Sequence, residues 1–304
     1  MEEKPISDIE DYGLDECDRQ LNKSTQYFQN LRQANAYNIP DFDPIKELSD
    51  KRNFACTITS KRRTGKSVLL KDICHKIKGF YHQVYVFSMT SDLQPELYDF
   101  VDKKNIYSSF DEAKLQDIWN QQEKLITSMK VAKVKDDDMP HVLIIFDDII
   151  SDPKVRKSEI LAKYAVAGRH IKLAYFILSQ TFTGVPPMIR TNVDIAIAFY
   201  LDSCDNREAY AKQYLSTKNT RLGIMLFERM TRKEYQAIVC LNFKTSQNPE
   251  DTVRKYTAKL KVPKFKMGKN KMKDVYIMDS FMRESNQERV ELKVSKSRGS
   301  TIKL

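Results

Sequence analysis

The stretch from Phe54 to Lys78 constrains this chain more than any other. Residues 54–59 form a short apolar, β-prone run. Residues 60–65 form a basic turn that ends in Gly65. The turn opens into a segment with helical spacing of apolar side chains at Val68, Leu69, Ile73 and Ile77. A strand that passes through a tight turn into a helix is the first half of a strand–helix–strand crossover, so further parallel strands must follow for it to join. Residues 83–89, 142–146, 173–179 and 195–200 supply them, with a late strand near residues 235–241. Between them, residues 111–133, 154–167 and 206–215 have helical patterning. The run Val142-Leu143-Ile144-Ile145-Phe146 is apolar at every position, as expected of a strand covered on both faces. The alternation predicts an α/β fold of three layers around a mainly parallel central sheet.

The turn itself carries chemistry. Ser60-Lys61-Arg62-Arg63-Thr64-Gly65-Lys66-Ser67 fits the phosphate-binding pattern G-x-x-x-x-G-K-[ST] at every fixed position except the first, where Ser60 replaces glycine. In such a loop, backbone N–H groups and the following helix N-terminus point at phosphate oxygens. Lys66 is then placed for the β- and γ-phosphates of ATP, and Ser67 for Mg²⁺. Eighty residues on, the apolar strand 142–146 delivers Asp147 and Asp148 at its C-terminal end, where open α/β sheets bind ligands. Asp147 is the candidate Mg²⁺ carboxylate, and Asp148 the candidate base for the attacking water. The next strand ends in Ser179-Gln180, and Gln180 is a candidate contact for the γ-phosphate or that water. An arginine that neutralises transition-state charge is worth roughly 10³–10⁵ in rate. Arg62 and Arg63 could supply it within a subunit, and Arg169 or Arg190 across a subunit boundary.

Charge divides the chain. Its net charge is +10 over 304 residues. From Arg254 to the end, lysines and arginines outnumber acids by the same margin, so the rest is near neutral. The expected division is a polar N-terminal arm over 1–45, a phosphate-loop ATPase domain over 46–245 and a basic segment over 246–304. Concentrated positive charge suits a polyanion partner or a solvated tail. The aromatics within it, Tyr256, Phe265, Tyr276 and Phe281, are expected to pack on the core. The Asp136-Asp137-Asp138 run reads as a solvated loop. Five cysteines, none in a C-x-x-C pair, fit free thiols in a reducing compartment, with Cys56 and Cys240 in apolar settings. Four histidines without ligand spacing argue against a metal site built from side chains alone. The acidic start of the chain lacks the apolar core of a secretory signal, and no run of about 18 apolar residues predicts a membrane span.

The ordered set of Ser60-to-Ser67, the Phe146-Asp147-Asp148 strand end, Gly168-Arg169-His170, Leu178-Ser179-Gln180 and Ile189-Arg190-Thr191-Asn192 resembles the poxvirus-type genome-packaging ATPases of large double-stranded DNA viruses. These are a branch of the FtsK/HerA-like motor ATPases, with relatives in virophages and Maverick-type transposons. The resemblance covers about residues 50–240. It implies an additional strand between the phosphate-loop strand and the Mg²⁺ strand. It implies ATP and Mg²⁺ as ligands, with Lys66, Ser67, Asp147, Asp148 and Gln180 as site residues. It further implies a homo-oligomeric ring, hexameric or pentameric, around double-stranded DNA, acting with a capsid or portal-vertex protein. The expected location is a viral factory in the host cytoplasm or the virion, with the nucleus a further possibility. Two other readings remain open at this level: a helicase or conjugation-type ATPase moving DNA elsewhere, and a nucleotide-gated assembly scaffold without significant turnover.

Overall fold

A computed structural model describes residues 16–268. Its centre is an eight-stranded sheet in the order β3-β2-β4-β5-β1-β6-β7-β8. In chain order the strands are β1 (Ala55–Thr59), β2 (Gln83–Ser88), β3 (Ile106–Tyr107), β4 (Val142–Asp147), β5 (Leu173–Ser179), β6 (Ile195–Ala198), β7 (Gln236–Leu241) and β8 (Val253–Thr257). The helices are α1 (Glu16–Ala36), α2 (Pro44–Leu48), α3 (Lys66–Lys76), α4 (Glu112–Val131), α5 (Pro153–Arg156), α6 (Glu159–Ala167), α7 (Pro187–Thr191), α8 (Cys204–Tyr214), α9 (Thr220–Thr231) and α10 (Pro249–Thr252). The six strands from β3 to β6 are mutually parallel, and β7 and β8 close the sheet as antiparallel pairs. The inserted strand is β5, which lies between β4 and β1 and pairs with both. This is the α/β, three-layer, mainly parallel architecture that the strand–helix alternation predicts, with the additional strand in place.

Every residue of β1, β4, β5, β6 and β7 is buried, because both faces of the sheet are covered. Alternate residues nonetheless serve different layers. On one side Val142, Ile144 and Phe146 pack with Trp119, Tyr164, Tyr210 and Phe227 from α4, α6, α8 and α9. On the other, Leu143 and Ile145 pack with Leu69, Leu70, Ile73 and Cys74 from α3. Cys56 and Cys240 sit in these layers as buried free thiols, while Cys204 is exposed.

The structure departs from the sequence reading in several elements. The helical stretch 154–167 is two helices, because Ser158 starts α6 by accepting a hydrogen bond from the N–H of Leu161. Helix α9 and strands β3 and β8 are additional. The sheet therefore runs past residue 245 into the basic segment. Tyr256 on β8 donates to Asp72 of α3 (2.7 Å), and Phe265 stacks on Phe100 (4.9 Å between ring centroids). Tyr276 and Phe281 lie outside the described residues. In the acidic run, Asp136 pairs with Lys172. Among the described residues no helix is long and apolar enough to cross a membrane.

Candidate nucleotide site

Because β1, β2, β4, β5 and β6 are parallel, their C-terminal ends share one edge of the sheet. The register aligns that edge closely: Thr59 pairs with Ser179 and Ala198, Asp147 with Leu178, and Ser88 with Asp147. The backbone continues the ladder by one step, with Ser60 N–H donating to Ser179 O (3.1 Å) and Asp148 N–H to Leu178 O (3.2 Å). The phosphate-type loop, the acidic pair and Gln180 are therefore delivered to the same place by strand pairing alone.

The loop is shaped for close approach. Gly65 takes φ +98° and caps α3 with no side-chain hydrogen bond to the first helical N–H groups. Those N–H groups and the helix dipole therefore face outward together. A Cβ on Gly65 would fall 3.0 Å from Cδ1 of Tyr235, on top of the left-handed backbone that L residues avoid. Arg63 also adopts positive φ (62°). Ser60 has no such requirement. It is not among the positive-φ residues, and its side chain is buried with Oγ donating to Lys61 O (3.2 Å). That explains how serine stands where the usual pattern has glycine. Thr64 Oγ1 donates back to Lys61 O (2.8 Å), and Lys61 pairs with Asp202 (3.1 Å), so the loop is braced from within and from the β6 side.

Four side chains form a continuous chain across the edge. Lys66 Nζ contacts Asp148 Oδ1 at 3.0 Å. Gln180 Nε2 donates to Asp148 Oδ2 at 2.9 Å, and Arg62 Nε donates to Gln180 Oε1 at 3.2 Å. Asp148 reaches this position through a left-handed backbone (φ 55°), a conformation that aspartate tolerates better than most residues. Lys66 is buried, whereas the Asp148 side chain is 30% exposed and open to a reactant.

Asp147, one residue earlier, has a different environment. It is buried within β4, and Oδ2 accepts a hydrogen bond from the Tyr98 hydroxyl. Oδ1 is buried with no hydrogen-bond partner among the described residues. Burial pushes its pKa up, as does the neighbouring Asp148 charge, against the Tyr98 bond and Lys66, which lower it. A buried carboxylate with one oxygen tied and the other unmatched fits a cation ligand. Ser67 at the start of α3 and Asp147 could together hold Mg²⁺ alongside phosphate oxygens. Among the described residues no three His, Cys, Asp or Glu side chains cluster for a metal, so phosphate oxygens and water would complete the coordination.

Tyr98 carries no sequence signal for this role. It lies in a 3₁₀ turn (Pro95–Tyr98) and meets Asp147 only through the tertiary fold, 49 residues away in sequence. Tyr235 is a second residue that the motifs do not reveal. The two outlying arginines are not brought to the cluster. Arg169 is exposed, and its carbonyl accepts from Asn53 just before β1, at the opposite edge of the sheet. A strand of five residues puts that edge roughly 17 Å from the loop. Arg190 is engaged in packing: Nε donates to Val185 O (3.0 Å), one terminal nitrogen to Gln213 (3.1 Å), and the guanidinium lies over Phe182 (4.8 Å).

Comparison with known proteins adds to this geometry. Residues 44–287 match the family described as "Poxvirus A32 protein". The chain is 25% identical over 249 residues to the uncharacterized protein L437 of Acanthamoeba polyphaga mimivirus, across 80% of this chain and 84% of that one. It is 25% identical over 163 residues to the DNA packaging protein OPG160 of variola virus, across 53% of this chain and 58% of that one. It thus spans under two thirds of the variola protein. Among solved structures, the conjugation coupling protein TcpA of pCW3 superposes with a TM-score of 0.51 at 13% identity, across 69% of this chain and 61% of that one, which shows a shared fold. The genome packaging NTPase B204 of Sulfolobus turreted icosahedral virus 2 gives a TM-score of 0.48 at 15% identity, across 70% of this chain and 100% of that one.

Proposed function

The chain belongs to the poxvirus A32 protein family, and from that membership and the site we infer that it is a DNA-packaging ATPase. In finer detail, we propose that it hydrolyses ATP to drive double-stranded viral DNA into a preformed capsid. The observation that carries the reading is the chain Lys66–Asp148–Gln180–Arg62 at the shared ends of β1, β4 and β5, beside an uncapped helix N-terminus.

The residues divide the work. The N–H groups of the loop and of the first turn of α3 cradle the phosphates, and Lys66 turns from Asp148 to the β- and γ-phosphates. Ser67 and Asp147 would hold Mg²⁺, which when bound would supply positive charge to the phosphate oxygens. Gln180 orients a water against the γ-phosphorus. As the water oxygen bonds to phosphorus and the bond to the bridging oxygen breaks, Asp148 takes the water proton and ADP leaves. Arg62, next to Gln180, stands where it can offset charge on the departing phosphoryl group within the same subunit. Arg169, exposed on the far edge of its own sheet, could serve only a neighbouring subunit, and Arg190 only after leaving its packing contacts.

We propose further that the protein works as a ring of five or six copies on DNA, with a capsid or portal-vertex protein as its dock, in a viral factory of the host cytoplasm or in the virion. Its grip on DNA phosphates is electrostatic and weakens with salt. The test is steady-state ATP hydrolysis with and without long duplex DNA at two salt concentrations, beside Lys66→Ala. Turnover that rises with duplex DNA, falls with salt and disappears in the variant supports the reading. Turnover indifferent to DNA removes the translocation step.

A further inference from the structure

The phosphate loop has two flanks. On one stand Asp148 and Gln180, where the terminal phosphate reacts. On the other lies a cleft of about 1210 Å³ that the hydrolysis chemistry does not use. The loop itself forms part of its wall, through Lys61, Arg63 and Thr64. The far walls come from the end of β6, the start of β7, and helices α1, α8 and α9. A triphosphate whose γ end faces β4 and β5 must carry its other end away from them, across β1 toward β6 and β7. The cleft opens on that side.

Its lining suits a flat aromatic ring with a polar sugar. Tyr27, Tyr200 and Tyr235 present three rings to it. Tyr235 is held at φ 58°, a left-handed conformation that a bulky residue avoids, and its ring rests against Gly65. Such strain persists only where surrounding structure enforces it. Tyr200 is 40% exposed yet fixed: Arg207 lies over its ring (5.3 Å to the centroid) and is itself anchored to Leu201 O (2.6 Å) and Asp202 O (2.8 Å). Tyr27 comes from α1, outside the segment that carries the phosphate chemistry. That helix is fastened to α9 by Asn219 to Asn30 (3.2 Å) and by Arg229 to Tyr37 O (2.8 Å), so its ring is presented by a docked element.

We propose that this cleft is the nucleoside site: it takes the adenine and ribose of ATP, with Tyr200 and Tyr235 against the nucleoside and Tyr27 of α1 as the outer wall. The proposal rests on the phosphate-loop reading and extends it to residues that no motif marks. It makes the N-terminal helix part of the nucleotide site rather than a separate arm.

The experiment compares two ligands on the full chain without turnover: the β,γ-methylene analogue of ATP, and inorganic tripolyphosphate, which has the phosphates but no nucleoside. Affinities are measured by calorimetry or competition for wild type, Tyr235→Ala and Tyr27→Ala. Stacking on an aromatic side chain sets the expected scale, a roughly 10–100-fold loss of analogue affinity in Tyr235→Ala and a smaller loss in Tyr27→Ala. Tripolyphosphate affinity should stay within about twofold in Tyr27→Ala, because Tyr27 belongs to α1 and not to the phosphate loop. Equal losses for both ligands in both variants, or no loss for either ligand, overturn the nucleoside site and leave the phosphate loop standing. Failure of wild type to bind either ligand overturns the phosphate-loop reading, and this proposal with it.

Discussion

Replacing Tyr98 by phenylalanine removes one hydroxyl and leaves the buried ring in place. That hydroxyl donates to Asp147 Oδ2, while Oδ1 has no hydrogen-bond partner among the described residues. Without it neither oxygen of the carboxylate is held, and the side chain can rotate away from the position that strand β4 gives it. A hydrogen bond to a charged group is worth about 1.5–3 kcal/mol. Loss of a partner that orients a metal ligand typically costs about 10–100-fold in metal affinity, and these two scales agree. The expected result for Tyr98→Phe is therefore a roughly 10–100-fold rise in the Mg²⁺ concentration that half-saturates binding of a non-hydrolysable ATP analogue. Binding of the analogue without Mg²⁺ should change by less than about twofold, because the Tyr98 hydroxyl bonds Asp147 and Ser88 rather than Lys66 or the loop. Titrating Mg²⁺ against analogue binding by calorimetry gives both numbers. An unchanged Mg²⁺ dependence would refute the assignment of Asp147 as the metal carboxylate held by Tyr98. Weakening with and without Mg²⁺ alike would mean that the hydroxyl supports the fold of the loop instead.

Three more outcomes follow from the same geometry. Asp148→Asn keeps the hydrogen bond from Gln180 but cannot take a proton; turnover should fall at least about 100-fold while analogue binding persists, measured by steady-state hydrolysis beside calorimetry. Gly65→Ala places a Cβ against Tyr235 on a left-handed backbone; it should destabilise the fold by about 1–2 kcal/mol in urea titration and weaken binding of the analogue and of tripolyphosphate together. His141, buried at the start of β4 with Nδ1 3.0 Å from Met139 O, has its pKa pulled down to about 4 by burial and nearby cations. The folded value lies below the ordinary 6.5, so the unfolded chain takes up the proton first, and stability present above pH 6.5 drains away as pH falls toward 4. At about pH 5 the loss from this residue is about 2 kcal/mol, and His141→Asn should flatten that part of the urea-stability profile.

The parallel strands are readable in the sequence because burial on both faces leaves no polar interruption, as in Val142–Asp147. The phosphate loop and the acidic pair are readable because their spacing is local. Other features depend on tertiary contact. β8 carries Arg254 and Lys255 in a basic run, which hides its strand character; in the fold Arg254 is buried against Glu47 (3.0 Å). α9 does carry a sequence signal, with Asn219 capping through the N–H of Leu222 and buried Leu222, Leu226 and Met230 at helical spacing. Tyr98 and Tyr235 could not be found by motif, since what recommends them is a neighbour far along the chain or an unusual φ. The order of motifs names Arg169 and Arg190 but says nothing of which edge of the sheet each occupies.

Two adjacent aspartates illustrate how the fold assigns chemistry that residue type cannot. Asp147 is the last residue of β4, so its side chain stays in the buried layer, where the Tyr98 hydroxyl fixes one oxygen. A carboxylate that is buried there, with its other oxygen unmatched among the described residues, suits a cation ligand better than a proton shuttle to solvent. Asp148 leaves the strand through a left-handed turn, which swings its carboxylate to the loop side, between Lys66 and Gln180. There it is 30% exposed, in the place where the proposed mechanism needs a base for the attacking water. Lys66 ties Asp148 to the same loop that cradles the phosphates. Under the proposed mechanism, Lys66 turning to a triphosphate frees the Asp148 carboxylate from its ion pair. That mechanism would couple arrival of the substrate to release of Asp148 through a single side chain.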